Sequence, residues 1–433
     1  MTSTKATPYK SHAFDADDRG EFLLPRALGL LALGALFFCG PARAEDSYRW
    51  LQAAADGWEA RAITQSDACP AAEIDGRAIA MTPRARPGED FPITVCAVRV
   101  PKGTRSLTIA GAPLRPPPER IDKALVLGDT GCRLKGIFVQ DCNSAEAWPF
   151  RRVAETAAKF APDIVIHVGD YHYRETACLP GMARCAGSPH GDNWEAWKAD
   201  FFEPGDALLR AAPLALVRGN HEICKRAGRG WTRTLSPLPL SENPQCVERE
   251  QAYRVDIADP TLYILDTTEA EERTVVIEQA AFLRSQLTVA KDAPGPVWYA
   301  FHKPIFSLFR SRIGETIGIN ETLAAAAHDN IPASVQAILS GHLHAFEALS
   351  FREDRPAQFI VGVGGTAMDP RIPTNFDGAT IGEATVAQGR GVAATFGFAT
   401  FERGDGEWIV TNYDAEATPR LRCHLRGRQL DCE

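Results

Sequence analysis

The sequence predicts an α/β protein with two β-sheets, preceded by a small β-rich domain. From residue 121 onward, apolar runs such as "DIVIHVGD" alternate with helical periods such as "AWPFRRVAETAAKF". This alternation is typical of α/β folds, in which ligands bind at the carboxyl ends of strands. The last part contains the consecutive strand-like runs "QFIVGVGG", "AATFGFATFE" and "EWIVTNYD". These runs predict a second sheet packed beside the first.

Residues 1–44 have the pattern of a secretory signal. A polar leader ending at Arg26 precedes the apolar run "ALGLLALGALFFCG" and then "PARAED", which places Ala42 and Ala44 at the small-residue positions of a signal-peptidase site. The apolar run is too short to span a bilayer stably. We therefore predict cleavage after Ala44 and a secreted or periplasmic protein without stable membrane insertion. An uncleaved anchor or an amphipathic leader is the alternative.

The cysteines also indicate an oxidising compartment. Of 11 cysteines, Cys39 leaves with the signal, so the mature chain keeps an even number. Spacing alone leaves the connectivity open, and no CxxC motif favours a zinc–thiolate site. Pairing of sequence neighbours predicts the disulfides Cys69–Cys96, Cys132–Cys142, Cys178–Cys185, Cys224–Cys246 and Cys423–Cys432.

Residues 45–118 differ in character from the rest of the chain. They contain several prolines, few helical periods and short strand-like runs such as "FPITVCAVRV" and "SLTIAG". The segment ends in "APLRPPPERI", where three consecutive prolines cannot continue a helix or a central strand. We predict a small β-rich domain with a linker over residues 45–118, followed by the larger α/β domain over residues 119–433.

The overall charge argues against a nucleic-acid partner. The formal net charge is -8 and the pI is about 5.8, whereas nucleic acids and anionic membranes attract basic surfaces. Apolar residues make up 45% of the chain and charged residues 24%, which excludes a disordered chain. An acidic protein acting on an anionic substrate needs local positive charge, which metal ions can supply.

Five polar clusters stand where apolar runs end. They are "GDTG" with Asp129, "GDYHY" with Asp170 and Tyr173, "GNHE" with Asn220, His221 and Glu222, "FHKP" with His302, and "GHLH" with His342 and His344. Alone, each cluster is weak evidence, because Gly-Asp turns and buried histidines are common. Together they supply the carboxylate, amide, imidazole and phenolate ligands of a paired transition-metal centre. One carboxylate can bridge two metals about 3.5–4 Å apart.

The order GDxG, GDxxY, GNHE, xxxH and GHxH resembles the motif set of the purple acid phosphatases, within the calcineurin-like metallophosphoesterases. The resemblance implies a four-layer α/β/β/α sandwich of two mixed sheets, with residues 119–433 as the catalytic domain. It implies two metal ions, Fe(III) and a divalent ion (Fe, Zn or Mn). The implied ferric ligands are Asp129, Asp170, Tyr173 and His344. The implied ligands of the divalent ion are Asn220, His302 and His342, with Asp170 as the bridge.

The resemblance also implies the activity. It is that of a secreted phosphatase that hydrolyses small phosphomonoesters by in-line attack of a metal-bound hydroxide. His221 is the implied catalytic residue, binding substrate or donating a proton, and a structural role is its alternative. A phosphodiesterase acting on nucleotides or glycerophosphodiesters with the same metals is the alternative function, and a non-enzymatic metal-binding module is a third.

Residues near the motifs give further expectations. In "GDTG", Gly131 occupies a place from which a second ligand could reach the metal of Asp129, and Tyr173 is expected to fill that role from the next strand. We expect His167 to be a core residue, His172 to be a candidate substrate contact, and Glu222 to orient His221. One of Lys225, Arg226 and Arg229 is a candidate phosphate clamp, with a solvated basic loop as the alternative, and the long loop after Tyr173 is a candidate wall of the pocket.

Overall fold

The computed structural model describes residues 47–239, 245–310, 316–369 and 371–433. The predicted signal, residues 1–44, lies outside the described residues, and residues 45–433 form one compact unit. Within the described ranges, none of the helices has the length and apolar character needed to cross a membrane.

The described ranges contain 27 β-strands and six α-helices. The strands are β1 (Tyr48–Ala54), β2 (Gly57–Thr64), β3 (Ala71–Ile74), β4 (Arg77–Ala80), β5 (Thr82–Ala85), β6 (Thr94–Val100), β7 (Leu107–Ile109), β8 (Ala112–Leu114), β9 (Lys123–Leu127), β10 (Leu134–Lys135), β11 (Phe138–Val139), β12 (Ile164–His167), β13 (Leu214–Leu216), β14 (Tyr253–Arg254), β15 (Thr261–Ile264), β16 (Val297–Ala300), β17 (Phe306–Arg310), β18 (Thr316–Ile319), β19 (Val335–Ser340), β20 (Phe346–Phe351), β21 (Ala357–Val361), β22 (Thr380–Ile381), β23 (Ala384–Val392), β24 (Gly397–Arg403), β25 (Trp408–Asp414), β26 (Pro419–Arg426) and β27 (Gln429–Cys432). The helices are α1 (Phe150–Ala158), α2 (Trp194–Trp197), α3 (Asp206–Ala211), α4 (Gly228–Thr234), α5 (Ile277–Leu287) and α6 (Glu321–Ala327).

Two large mixed sheets form the centre of the molecule. The first has the order β27-β26-β25-β24-β9-β12-β13-β1-β2-β6-β5, and the second has the order β14-β15-β16-β19-β21-β20-β23-β22. Strands β9, β12 and β13 are parallel in the first sheet, and β15, β16, β19 and β21 are parallel in the second. The prediction of two mixed sheets is therefore confirmed, but the runs "AATFGFATFE" and "EWIVTNYD", which were expected in the second sheet, form β24 and β25 of the first sheet. Strand β24 pairs with β9 there, a long-range contact that the local pattern does not contain.

Three apolar clusters define four layers. One cluster joins residues of both sheets, such as Val126 of β9 and Trp298 of β16. A second joins α1 to α4 with the outer face of the first sheet, and a third joins α5 and α6 with the outer face of the second sheet. In β9, Leu125 and Leu127 face the helices while Ala124 and Val126 face the other sheet. Burial on both faces explains why such strands are continuous apolar runs in the sequence.

The N-terminal region is rich in strands, as predicted, but it does not form a body apart from the larger domain. Strands β1, β2, β5 and β6 extend the first sheet, because β1 pairs in parallel with β13 at Gln52 and Leu214. Strands β3, β4, β7 and β8 form a separate four-stranded sheet. The pairing satisfies backbone groups that an edge strand would leave open, a contact that local sequence patterns do not reveal. The boundary at residue 118 stays a prediction.

A buried arginine strengthens this attachment. Arg61 of β2 is fully buried and donates hydrogen bonds to the carbonyl oxygens of Thr234 and Ser236, at the end of α4, at 2.5 and 2.9 Å. Its guanidinium also pairs with Glu59. The buried charge is thus paired and hydrogen-bonded, as burial of an ion requires.

The ten described cysteines form five disulfide bonds, in the pairing of sequence neighbours that was predicted. Disulfide-rich chains are typical of oxidising compartments. Cys132–Cys142 follows the first polar cluster and Cys224–Cys246 follows the third. Both bonds therefore close loops beside residues expected to bind metal.

The polar clusters follow five parallel strands. Strands β9, β12 and β13 end at Leu127, His167 and Leu216 in the first sheet, and β16 and β19 end at Ala300 and Ser340 in the second. Parallel strands place their carboxyl ends at one edge of a sheet. The fold therefore brings the five clusters to one rim, where the two sheets meet.

Candidate metal centre

The phenolic oxygen of Tyr173 is the centre of a first group of potential ligands. It lies 2.7 Å from Oδ2 of Asp170, 3.0 Å from Oδ1 of Asp129 and 2.9 Å from Nε2 of His344. Tyr173, Asp129 and Asp170 are buried. The four residues that the sequence analysis assigned to a ferric ion thus have their donor atoms close together.

A second group lies around the side-chain oxygen of Asn220. This oxygen lies 2.9 Å from Nε2 of His302 and 2.9 Å from Nδ1 of His342. Oδ2 of Asp170 lies 3.2 Å from Nε2 of His302, and the donor atoms of Asp170, His302 and His342 all lie within 4.8 Å of one another. Asp170 is therefore shared by both groups.

The electrostatics of the cluster fit a cation. Burial, together with the carboxylates of Asp170 and Asp129, holds the pKa of the Tyr173 phenol well above its ordinary value. Burial alone would raise the pKa of Asp170, but His302 and His221 hold it well below its usual range. Anionic oxygens that converge in a buried site repel one another, and a bound metal ion would offset this repulsion. The donor set thus fits hard and borderline metal ions.

Unusual backbone geometry aims the predicted ligands. Asp129, Asp170 and His342 have φ angles of 57°, 59° and 73°, in the left-handed region that residues other than glycine rarely adopt. Glycines make room for these turns. A Cβ atom at Gly219 would lie 2.1 Å from Oδ1 of Asp170, and one at Gly341 would lie 2.5 Å from Oδ2 of Asp129. Close contact with a carboxylate therefore explains the glycines at positions 219 and 341.

Gly131 has the same kind of explanation. A Cβ atom at this position would lie 2.8 Å from the backbone nitrogen of Tyr173 and 2.7 Å from the carbonyl oxygen of Tyr171. The absence of a side chain lets the segment that carries Tyr173 approach Asp129. The structure thus brings Tyr173 to the place that Gly131 leaves without a ligand.

Asp200 fixes this approach and was missed by the sequence analysis. Its carboxylate is fully buried and accepts hydrogen bonds from the backbone nitrogens of Cys132, Tyr173 and Arg174 at 3.0, 2.7 and 3.0 Å. It also accepts from the Arg174 side chain at 2.7 Å. The only sequence signal is an acidic residue in the aromatic segment "NWEAWKADFF", which does not identify partners in distant loops.

Glu222 binds backbone nitrogens rather than the His221 ring, so the expectation that it orients His221 is wrong. Its buried carboxylate accepts hydrogen bonds from four backbone nitrogens, at 2.9 to 3.1 Å. They are those of Gly219, Asp170, Tyr171 and His172. Glu222 therefore ties the turn that carries Asp170 to the turn that carries Asn220. Burial and the nearby Asp170 raise its pKa to about 8.

The residue beside the His221 ring is Glu175. Its Oε1 atom lies 2.8 Å from Nδ1 of His221, and the same carboxylate pairs with Arg226. Nε2 of His221 lies 3.8 Å from Oδ2 of Asp170, and the His221 and Tyr173 rings are 3.8 Å apart at their centroids. Burial lowers the pKa of His221 although Asp170 and Glu175 act in the opposite direction. His221 thus borders the metal ligands.

The two remaining histidine candidates, His167 and His172, are both buried. His172 is buried, with Nε2 3.0 Å from the carbonyl oxygen of Gly191 and its ring against Trp197, so the expectation that it contacts substrate is wrong. His167 is a core residue, as predicted. It stacks on Tyr171 at 4.0 Å, and burial lowers its pKa to about 3.

Of the basic candidates, Arg226 reaches the centre, with Nη2 2.9 Å from Nε2 of His221. Arg229 instead pairs with Asp90 at 2.7 Å.

Two further residues were missed. Nη2 of Arg133 lies 3.0 Å from Nδ1 of His344, and Oε1 of Glu272 lies 3.0 Å from Nε2 of His342. Both follow apolar runs in the sequence, but a charged residue after a strand is too common to be a signal.

Comparison with known proteins gives a family and a fold. The family model for calcineurin-like phosphoesterases matches residues 123–346. A purple acid phosphatase, PPD1 from yellow lupin (Lupinus luteus), has a similar structure, with a TM-score of 0.54 and 14% identity over 87% of this chain and 73% of that chain. PhoD is similar with a TM-score of 0.55 and 10% identity, over 91% of this chain and 93% of that chain. The search of curated proteins found no match.

Proposed function

The chain belongs to the calcineurin-like phosphoesterase family and is a metal-dependent phosphoester hydrolase, and we propose that it is a secreted phosphatase that hydrolyses phosphomonoesters at a paired metal centre. One observation carries the proposal: Asp170 stands within 3.2 Å of donor atoms from both groups of potential ligands. A shared carboxylate between two ligand groups is the arrangement that two-metal hydrolases use.

The types of donor atom suit a different metal ion in each of the two groups of ligands. In the proposed centre, Asp129, Asp170, Tyr173 and His344 hold a ferric ion, because a phenolate and carboxylates suit a small ion of high charge. Asn220, His302 and His342, with Asp170, hold a divalent ion (Fe, Zn or Mn). When bound, the two ions would neutralise the phosphate oxygens and lower the pKa of a water molecule that attacks phosphorus in line.

The protein's own groups complete the site. Glu175 lies at Nδ1 of His221, so the Nε2 side of the ring borders the centre. In this position His221 can bind phosphate and donate a proton to the leaving oxygen. Arg226 pairs with Glu175 and adds positive charge beside the anionic substrate. Secretion accounts for the five disulfide bonds and for the signal pattern at residues 1–44.

The test of the proposed function compares a monoester with a diester. Enzyme loaded with iron and zinc is assayed with 4-nitrophenyl phosphate and with bis(4-nitrophenyl) phosphate under the same conditions. We expect kcat/KM to be higher for the monoester. Hydrolysis of the diester alone would replace the proposal by a phosphodiesterase acting on nucleotides or glycerophosphodiesters. No hydrolysis of either ester by fully loaded protein would indicate a metal-binding module.

His221→Asn tests the role of the His221 ring. If the ring protonates the leaving oxygen, kcat should fall about a hundredfold for an alkyl phosphate, whose alkoxide is a poor leaving group. The loss should be much smaller for 4-nitrophenyl phosphate, since nitrophenolate leaves without protonation. The matched control is His172→Asn, which changes a buried histidine that faces Gly191. Equal losses on the two esters would show that His221 does not protonate the leaving oxygen.

A further inference from the structure

A cavity of about 240 Å³ lies beside the candidate metal centre. His342 and Leu343 form one part of its wall, and β17 and β18 contribute Ser307, Phe309 and Ile319. The remaining lining residues are Glu272, Arg273, Pro304 and Asn320. We propose that this cavity binds the leaving group of the substrate, and that it selects phosphomonoesters of a compact aromatic alcohol. The inference rests on the proposed function.

The position of the cavity follows from the two sides of the His342 ring. Nδ1 of His342 lies 2.9 Å from Oδ1 of Asn220, within the second group of potential ligands. Nε2 lies 3.0 Å from Glu272, which lines the cavity. The ring therefore separates the candidate metal site from the cavity by its own width. An ester group on a phosphate held at the centre is close enough to enter.

The wall offers an apolar contact surface. Phe309, Ile319 and Leu343 are partly exposed, and all three line the cavity together with the buried Pro304. Removing this surface from water favours an apolar group on the ligand. The volume is below the range of about 300–1,000 Å³ that encloses drug-sized ligands. The cavity therefore suits a single ring better than a nucleoside or a peptide.

Asn320 adds a polar feature to this wall. Only 5% of the residue is exposed, and its Oδ1 atom accepts a hydrogen bond from the backbone nitrogen of Leu323 at 2.9 Å, which caps α6. Its Nδ2 atom is buried and has no hydrogen-bond partner among the described residues. The role of Asn320 at this wall is therefore to cap α6 rather than to offer an accessible donor.

Charge does not select the ligand strongly. Glu272 and Arg273 both line the cavity and have opposite charges. Glu272 is already engaged with His342 and with the Lys303 ammonium at 3.1 Å. Apolar contact therefore decides specificity.

Binding of phosphonates tests the cavity without turnover. The metal-loaded protein is titrated by calorimetry with methylphosphonate and with phenylphosphonate. We expect phenylphosphonate to bind about tenfold more tightly than methylphosphonate, because it buries a ring. Phe309→Ala should remove this difference and leave the affinity for methylphosphonate unchanged. Phe282→Ala, at a partly buried aromatic residue outside the lining, is the matched control.

Equal affinity for methyl- and phenylphosphonate in the unmodified protein would overturn the proposal, as would equal weakening of both ligands by Phe309→Ala. Failure of the proposed function would appear separately, as absence of ester hydrolysis by protein that still binds phosphonates.

Discussion

Asp170→Asn is expected to lower kcat by about a thousandfold and to release metal. Oδ2 of Asp170 lies 2.7 Å from the Tyr173 hydroxyl and 3.2 Å from Nε2 of His302. An amide has no negative charge and has one oxygen donor in place of two, so it cannot serve both ligand groups. Removal of a single electrostatic contact in an active site costs about 10²–10³ in kcat, and this residue would contribute to both metals.

The measurement combines turnover of 4-nitrophenyl phosphate with metal analysis of the purified variant. Asp292→Asn, which removes the same charge at an exposed position after α5, should leave both quantities unchanged. A variant of Asp170 that kept its full metal content and nearly normal turnover would show that the carboxylate does not bridge two ions.

Glu222→Ala is expected to destabilise the protein and to disrupt both turns that carry metal ligands. Truncation would leave four buried backbone nitrogens without their acceptor. An unsatisfied buried group costs about 1–3 kcal/mol, so the free energy of unfolding should fall by on the order of 4 kcal/mol or more. Metal binding should weaken as well, because the positions of Asp170 and Asn220 depend on these hydrogen bonds.

Urea unfolding of the metal-free protein measures the first effect separately from metal binding, and calorimetric titration with zinc measures the second. Glu155→Ala, at an exposed position on α1, is the control for loss of a glutamate. If Glu222→Ala unfolded at the same urea concentration as the unmodified protein, the four hydrogen bonds would not be essential to the site.

The sequence was sufficient to predict that the fold has two sheets and which residues meet at their rim, but not which strands belong to each sheet. Strands such as β9 and β19 are buried on both faces, so they appear as apolar runs with polar residues directly after them. Because parallel strands share one edge, Asp129, Asp170 and Asn220 could be expected to converge. The structure brings their donor atoms close together, while the roles of these residues as ligands remain proposals.

Other features depend on contacts that no local pattern contains. Glu222 and Asp200 accept hydrogen bonds from the backbone of loops distant in sequence, and a backbone nitrogen leaves no residue-specific signal. The parallel pairing of β1 with β13 likewise cannot be predicted from local sequence patterns. The sequence also could not show that the ring of His172 meets the carbonyl oxygen of Gly191, in a loop further along the chain.

The most direct test of the account is the visible absorption spectrum of protein purified from its native compartment, recorded with its metal content. We predict two metal ions per chain, at least one of them ferric. The unmodified protein should hydrolyse phosphate esters and should show a charge-transfer band from the Tyr173 phenolate. This band should be lost in Tyr173→Phe. An active, colourless protein containing only manganese or zinc would contradict the ferric site. A protein with a single metal ion and full activity would contradict the paired centre.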